Sequence, residues 1–378
     1  MTRLTVISHS CVLPENQKIW AEVARHPDIE LTLIAPAFWN SSLHGPVEFK
    51  ALPELRERSV PARVYWPGKL HFHTYSDLGP AMTGSVPDVL YLDEDPHSFV
   101  AAQVLSIQAI MDYRLIITLK QNVPKRYPFP FGWIEPRVYR LARAAAATSQ
   151  ECLDVAIAKG FHRPAEVIGY PIDTGFFRPR ETPSVSDRLR VGYAGRLTAE
   201  KGVSDLIEAV ALVQKTTPAQ LAVVGTGPEA ATLGKLAAAQ LQPGSFVSWD
   251  RLPPEDMAEW YQGLDVLVLP SLTTPRWKEQ FGRVLGEALA CGVPVIGSSS
   301  GFIPDFIDLT SGGLVYPEGD VPALAEALLR LSADAGLRQA LAHSGREGVV
   351  REFGLPAVAA KIAHLVLSQR RGAPNPEA

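Results

Sequence analysis

Leu189-Arg190-Val191-Gly192-Tyr193-Ala194-Gly195-Arg196-Leu197-Thr198-Ala199-Glu200-Lys201-Gly202 decides how this chain is organised. Residues 189–193 form a short apolar run of strand character, and residues 203–215, just beyond Gly202, carry the apolar spacing of a helix lying on a sheet face. A strand that turns through glycine into a helix opens a parallel βαβ unit. The same alternation continues downstream. Strand-like runs at 221–224, 245–248, 266–269, 293–296 and 313–315 are separated by helix-like stretches at 229–240, 255–262, 283–290 and 321–332.

Upstream, an earlier series at 4–7, 29–34, 89–92, 115–119 and 165–168 ends in a turn-rich segment, 169–180, that reads as a linker. The half-chain plan therefore occurs twice. The expected fold is α/β, with two Rossmann-like doubly wound domains facing a central cleft, where loops at the strand carboxyl ends can meet a ligand. We expect an N-terminal domain over 1–173 and a C-terminal domain over 174–354. A final helix within 355–370 is left to pack on either domain, including back on the first, before a frayed tail at 372–378.

Composition narrows the functional classes. A chain of 378 residues exceeds the usual size of one core, and 46% hydrophobic with 20% charged residues suits an ordinary globular enzyme. A net charge of -4 argues against a dedicated nucleic-acid binder, which draws affinity from a strongly positive surface. Cys11, Cys152 and Cys291 have neither zinc nor disulfide spacing, so a reducing, cytoplasmic setting is expected, with no metal site. The start lacks the pattern of a signal peptide, and no window is apolar for the roughly 20 residues that a membrane span needs. Membrane association, if present, is then peripheral, at the inner face.

The chemistry concentrates in Pro270-Ser271-Leu272-Thr273-Thr274-Pro275-Arg276-Trp277-Lys278-Glu279-Gln280-Phe281-Gly282-Arg283-Val284-Leu285-Gly286-Glu287-Ala288, which joins a strand to a helix. Glu279 falls in the loop and Glu287 inside the helix. Both carboxylates can accept from sugar hydroxyls, and the helix start between them offers unpaired N–H groups to a phosphate. The plainer alternative pairs Glu287 with Arg283 at i,i+4 and leaves Glu279 as an exposed loop charge. In Tyr193–Gly202, Gly195 permits close backbone approach, and Arg196 and Lys201 bring two cations that suit a diphosphate. Alone, they read more readily as solvated surface charges.

These two stretches, with Ala290-Cys291-Gly292-Val293-Pro294-Val295-Ile296 and Ser300-Gly301-Phe302-Ile303-Pro304, resemble the retaining glycosyltransferases of family 4, of the GT-B architecture. The hallmark of that family is a pair of glutamates separated by seven residues, and the resemblance covers residues 140–350. It implies that Glu279, Gln280, Phe281 and Gly282 hold a donor sugar and that Glu287 binds the nucleotide ribose. Gly195, Arg196 and Lys201 would take the diphosphate, with Glu279, Arg196 and Lys201 as the catalytic set, and Arg251 and Leu252 would lie at the nucleobase. Val224-Gly225-Thr226-Gly227-Pro228-Glu229 also matches a family turn, although its glycines read more simply as structural.

In the first half, Tyr91-Leu92-Asp93-Glu94-Asp95-Pro96-His97-Ser98 resembles the acidic loop on the family's acceptor side. His9, Glu94, Asp95 and His97 become acceptor-side candidates, with helix capping as the alternative for His97. Its Asp93-x-Asp95 pair invites a metal reading that the GT-B resemblance argues against. Ser8-His9-Ser10-Cys11-Val12-Leu13-Pro14 departs from the paired glycines of many relatives. Residues 124–133 mix basic and aromatic side chains, suited to a lipid surface or sugars, or to a proline-stiffened lid. The resemblance thus implies transfer of a hexose from a UDP- or GDP-sugar to a carbohydrate, glycolipid or small hydroxyl acceptor. No cofactor is required and no nucleic acid takes part. A nucleotide-sugar epimerase and a catalytically silent transferase partner are the alternatives.

Overall fold

The computed structural model describes residues 1–41, 45–83, 86–180 and 186–370; the tail expected at 372–378 lies outside them. The chain divides into two compact units, Met1–Gly169 together with the chain from Leu355 onward, and Tyr170–Gly354.

The first unit runs β1 (Thr2–Ile7), α1 (Pro14–Val23), β2 (Ile29–Pro36), β3 (Phe38–Ser41), β4 (Gly45–Glu48), β5 (Ser59–Ala62), β6 (Val64–Tyr65), β7 (Thr74–Tyr75), α2 (Leu78–Thr83), β8 (Val89–Leu92), α3 (Phe99–Gln108), β9 (Arg114–Leu119), α4 (Phe131–Leu141), β10 (Ala144–Ala147), α5 (Gln150–Ala158) and β11 (Ala165–Val167). Seven of these strands form a parallel sheet in the order β11-β10-β9-β8-β1-β2-β5. β8 and β10 are buried along their whole length, as expected of strands covered on both faces.

The second unit runs β12 (Leu189–Ala194), α6 (Val203–Val213), β13 (Ala219–Val224), α7 (Ala230–Gln240), β14 (Phe246–Trp249), α8 (Pro254–Gln262), β15 (Val266–Leu269), α9 (Arg283–Ala290), β16 (Val295–Ser298), α10 (Ile303–Thr310), β17 (Gly313–Tyr316), α11 (Val321–Ala333) and α12 (Ala335–Phe353). Its six strands are parallel in the order β14-β13-β12-β15-β16-β17, which counted within the unit is the Rossmann order 3-2-1-4-5-6. The last helix, α13 (Leu355–Ser368), packs on α1 and buries Val358, Ile362 and Val366 in the first unit's core.

One device is repeated. Arg3 on β1 grips Asp88, just before β8, through its backbone N (2.9 Å) and guanidinium (3.0 Å), and Arg190 on β12 grips Asp265, just before β15, through backbone N (2.8 Å) and guanidinium (2.9 Å). In each unit this pins the first strand to the neighbour at which strand order reverses.

The sequence reading missed the short strands β3, β4, β6 and β7, and four further elements depart from it for reasons that can be named. β10 is four alanines, helix formers by propensity, held in a strand by pairing with β9 and β11. β5 contains Pro61, tolerated because β5 is an edge strand. α10 and α12 were not anticipated. α12 carries Gly345 and Gly348, residues of low helix propensity whose missing Cβ lets the helix touch its neighbours. A Cβ on Gly348 would lie 2.5 Å from the Thr310 backbone, and one on Gly345 2.7 Å from Gly312 Cα.

Candidate functional site

In a doubly wound sheet, ligands sit beyond the strand carboxyl ends where the order reverses. In the second unit that point lies between β12 and β15, paired at Val191–Val266. The loops leaving these strands are 195–202 and 270–282, and Leu272 N donates to Glu200 O at 2.8 Å to hold them together. Across them, Lys201 Nζ meets Glu279 Oε2 at 2.7 Å, and the Ser271 hydroxyl donates to the same oxygen at 2.8 Å. Lys201 also stands 4.6 Å from the centre of the Trp277 ring. Glu279 is buried, at 8% exposure, which removes its reading as an exposed loop charge.

Arg196 is exposed at the end of β12, and its carbonyl accepts from the Tyr193 hydroxyl at 2.8 Å. Gly195 comes against the next loop so closely that a Cβ on Gly225 would sit 1.8 Å from Gly195 O. Gly225 is therefore a packing requirement, in keeping with the structural reading of that turn.

α9 begins at Arg283, and Phe281 and Gly282 lead into it. The Phe281 ring is buried among Tyr170, Phe302, Phe306 and Phe353. This fixes the backbone at the helix start, while Gln280 is exposed. Glu287 accepts from the Tyr261 hydroxyl at 2.8 Å and stands 3.8 Å from Arg283. Both the i,i+4 pair and a second partner are thus present. Burial raises the Glu287 carboxyl above its ordinary value, against the opposing pull of Arg283 and the Tyr261 hydroxyl. Arg251, exposed, and Leu252, half-buried, lie between β14 and α8.

The first unit repeats the arrangement. Its order reverses between β1 and β8, and there His9 Nδ1 meets Glu94 Oε2 at 2.6 Å while His9 N donates to Glu94 Oε1 at 2.6 Å. Burial works against both charges, yet their attraction prevails, raising His9 and holding Glu94 well below the usual carboxylate range with help from His73. Asp93 accepts from the Ser8 hydroxyl at 2.8 Å and pairs with Lys120 at 2.6 Å. Asp95 instead faces His71 at 3.3 Å, so Asp93 and Asp95 have different partners. His97 stacks on Tyr127 with ring centroids 3.9 Å apart, and burial brings its imidazole down to about 4 against the pull of Asp95. The capping alternative for His97 is wrong: Ser98 caps α3, accepting from Ala101 N at 3.2 Å. In the basic and aromatic segment, Tyr127 and Phe131 pack on the His97 cluster, whereas Phe129 is 83% exposed.

Sequence reasoning did not single out Ser271, Tyr261, His71, His73 or Lys120. The His71-x-His73 spacing was the one signal available, since both residues turn to the 93–98 loop.

Residues 177–348 match the family model "Glycosyl transferases group 1". A GDP-mannose-dependent monoacylated alpha-(1-6)-phosphatidylinositol monomannoside mannosyltransferase of Corynebacterium glutamicum is 31% identical over 57% of this chain and 59% of its own length. A D-inositol 3-phosphate glycosyltransferase of Streptomyces bingchenggensis is 30% identical over 61% of this chain and 53% of its own length. The chain thus spans somewhat over half the length of these curated relatives. Sucrose-phosphate synthase from Thermosynechococcus elongatus has the same fold, with a TM-score of 0.73 at 19% identity over 97% of this chain and 99% of that one. Anabaena HepE, solved in complex with UDP, superposes with a TM-score of 0.72 at 17% identity over 97% and 100%. The two Rossmann-like units thus carry the GT-B architecture of these solved structures, and residues 177–348 resemble glycosyl transferases group 1.

Proposed function

We propose that the protein is a retaining glycosyltransferase, moving a hexose from a nucleoside diphosphate sugar to a hydroxyl acceptor in glycan or glycolipid synthesis. The observation that carries this reading is the Lys201–Glu279–Ser271 constellation at the point where the second sheet reverses its order. Lys201 spends one N–H on Glu279 and keeps two for a phosphate oxygen. With Arg196 it stabilises the charge that develops on the departing diphosphate. Glu279, oriented by Lys201 and Ser271, accepts from the hexose hydroxyls. At the start of α9 Leu285 N donates to Gly282 O, while the N–H groups of Arg283 and Val284 precede any acceptor within the helix and are available to the same ligand. Glu287, steadied by Tyr261, accepts from the ribose, and Arg251 and Leu252 flank the base. The leaving phosphate itself receives the acceptor's proton, so no protein base is assigned.

Support for a UDP- or GDP-sugar comes from the UDP held by HepE and the GDP-mannose named for the mannosyltransferase relatives. His9, Glu94, Asp95 and His97 form the acceptor side. Among the described residues no helix is long and apolar enough to cross a membrane. Phe129, together with half-exposed Trp133 beneath Arg137, suits peripheral contact with a bilayer at its inner face.

The test is a thermal-shift series with UDP, GDP and ADP, followed by turnover of the matching sugar. A nucleotide at 100 times its Kd stabilises the native state by about 2.7 kcal/mol. Glu279→Ala should lose turnover far beyond any change in melting temperature. A folded protein that responds to none of the three nucleotides refutes the donor site.

A further inference from the structure

His71 lies in the excursion between β6 and β7, and Asp95 and His97 lie in the loop that follows β8. The fold brings one nitrogen of each imidazole and a carboxylate oxygen of Asp95 within 4.8 Å of one another. His71 Nδ1 and His97 Nε2 are both buried without a hydrogen-bond partner, and His97 as a whole is 4% exposed. An unsatisfied buried polar atom costs about 1–3 kcal/mol, so two of them converging on a carboxylate call for a common partner.

We propose that His71, Asp95 and His97 bind a divalent first-row metal ion of the zinc class, leaving one coordination position open to water or a hydroxyl oxygen. Zinc bonds to imidazole nitrogen and carboxylate oxygen measure about 2.0–2.2 Å, which sets neighbouring ligand atoms of a tetrahedral ion about 3.3–3.5 Å apart. The separation between His71 Nδ1 and Asp95 Oδ2 is 3.3 Å. Two imidazoles with one carboxylate suit zinc over calcium or magnesium, which take oxygen ligands. Stacking on Tyr127 fixes the His97 ring, and the side chains of His71 (41% exposed) and Asp95 (37%) provide an entry path. The ion would tie the β6–β7 excursion to the sheet.

The neighbouring cluster of His9, His73 and Glu94 also gathers three ligand atoms within 4.8 Å, but both Glu94 oxygens are spent on His9. Asp93 is engaged by Ser8 and Lys120. The inference shares Asp95 and His97 with the acceptor side of the proposed transferase but does not rest on that reading, whose leaving group is held by Arg196 and Lys201.

The experiment uses the full chain, stripped with a chelator and dialysed. Zinc is titrated in competition with a chromophoric chelator, zinc content is measured by elemental analysis, and cobalt(II) serves as a spectroscopic probe. One zinc per chain is expected, with visible cobalt absorption of tetrahedral intensity. Loss of outer-shell partners alone costs 10–100-fold in affinity, so His71→Gln/His97→Gln should weaken zinc by more than about 100-fold and abolish the cobalt band. His9→Gln should retain zinc. Circular dichroism checks the fold of each variant, and Asp95→Asn replaces the double variant if that one does not fold. Absence of zinc binding by the folded parent overturns the site, as does parent-like affinity in the double variant or loss of zinc in His9→Gln. None of these readouts depends on activity, so failure here leaves the donor site untouched.

Discussion

Replacing Lys201 by methionine removes the ammonium, with its approach to the Trp277 ring, and keeps most of the aliphatic stem. Glu279, 8% exposed, then retains the Ser271 hydroxyl but loses its cation. Breaking a buried ion pair from one side costs about 3–5 kcal/mol. The two side chains here are still 17% and 10% exposed, so solvent screens part of the loss and about 2–3 kcal/mol is expected. In a domain of roughly 150–250 residues each kcal/mol moves the melting point by about 2–4 °C, giving a fall of about 4–12 °C. The discriminating partner is Lys201→Met/Glu279→Gln. With both charges gone no carboxylate is left uncompensated, and the double variant should recover to within about 1 kcal/mol of the parent. Calorimetry on the parent, both single variants and the double variant closes the cycle. A Lys201→Met protein melting within about 2 °C of the parent, or a double variant as unstable as the single, refutes the buried-pair account.

Glu287 gives a pH prediction. Its folded-state value is raised, so the stability it contributes is present below the ordinary carboxyl value of 4.5 and is lost as pH rises through the folded value. Glu287→Gln, whose amide oxygen can still accept from Tyr261, should match the parent near about pH 4 and melt above it near about pH 8, while binding nucleotide more weakly. A variant that melts below the parent across that range contradicts the assignment. Gly225→Ala places a Cβ 1.8 Å from Gly195 O, and should cost about 3 kcal/mol, the top of the range for overpacking. A parent-like melt would mean that the two loops are free to separate.

How far the sequence could be read depended on whether residue type or topology decides a feature. All six strands of the second sheet were visible as apolar runs: β15 and β16, buried along their whole length, leave a continuous hydrophobic trace, and the edge strands β14 and β17 keep enough apolar residues to show although they are only partly buried. β10 left no such trace: Ala144–Ala147 is a strand only because β9 and β11 flank it. Arg283 and Glu287 show their i,i+4 relation in the sequence. The Tyr261 hydroxyl that completes the environment of Glu287 comes from α8, beyond any local pattern. Likewise Asp95 and His97 could be named from their loop, whereas His71 joins them through an excursion more than twenty positions earlier, which no spacing rule connects.

The two switch points share one construction, and it explains why charge is tolerated there. In each unit an arginine–aspartate grip ties the first strand to the neighbour at which the order reverses, and just beyond it a basic side chain and a buried glutamate meet across the two departing loops. The pair is His9–Glu94 in the first unit and Lys201–Glu279 in the second. A buried ion pair replaced by well-packed apolar side chains is often neutral or more stable, so folding alone does not account for either pair. Their shared placement at the carboxyl ends of a reversing parallel sheet does, because that is where a doubly wound fold presents ligand contacts. The basic groups differ in kind. Lysine keeps spare donors for phosphate oxygens, whereas the His9 imidazole has one ring nitrogen committed to Glu94 and lies tilted against Trp39. That asymmetry fits the proposed roles, diphosphate on the second unit and acceptor hydroxyl on the first, under which Lys201, rather than His9, is the side chain whose removal should abolish nucleotide binding.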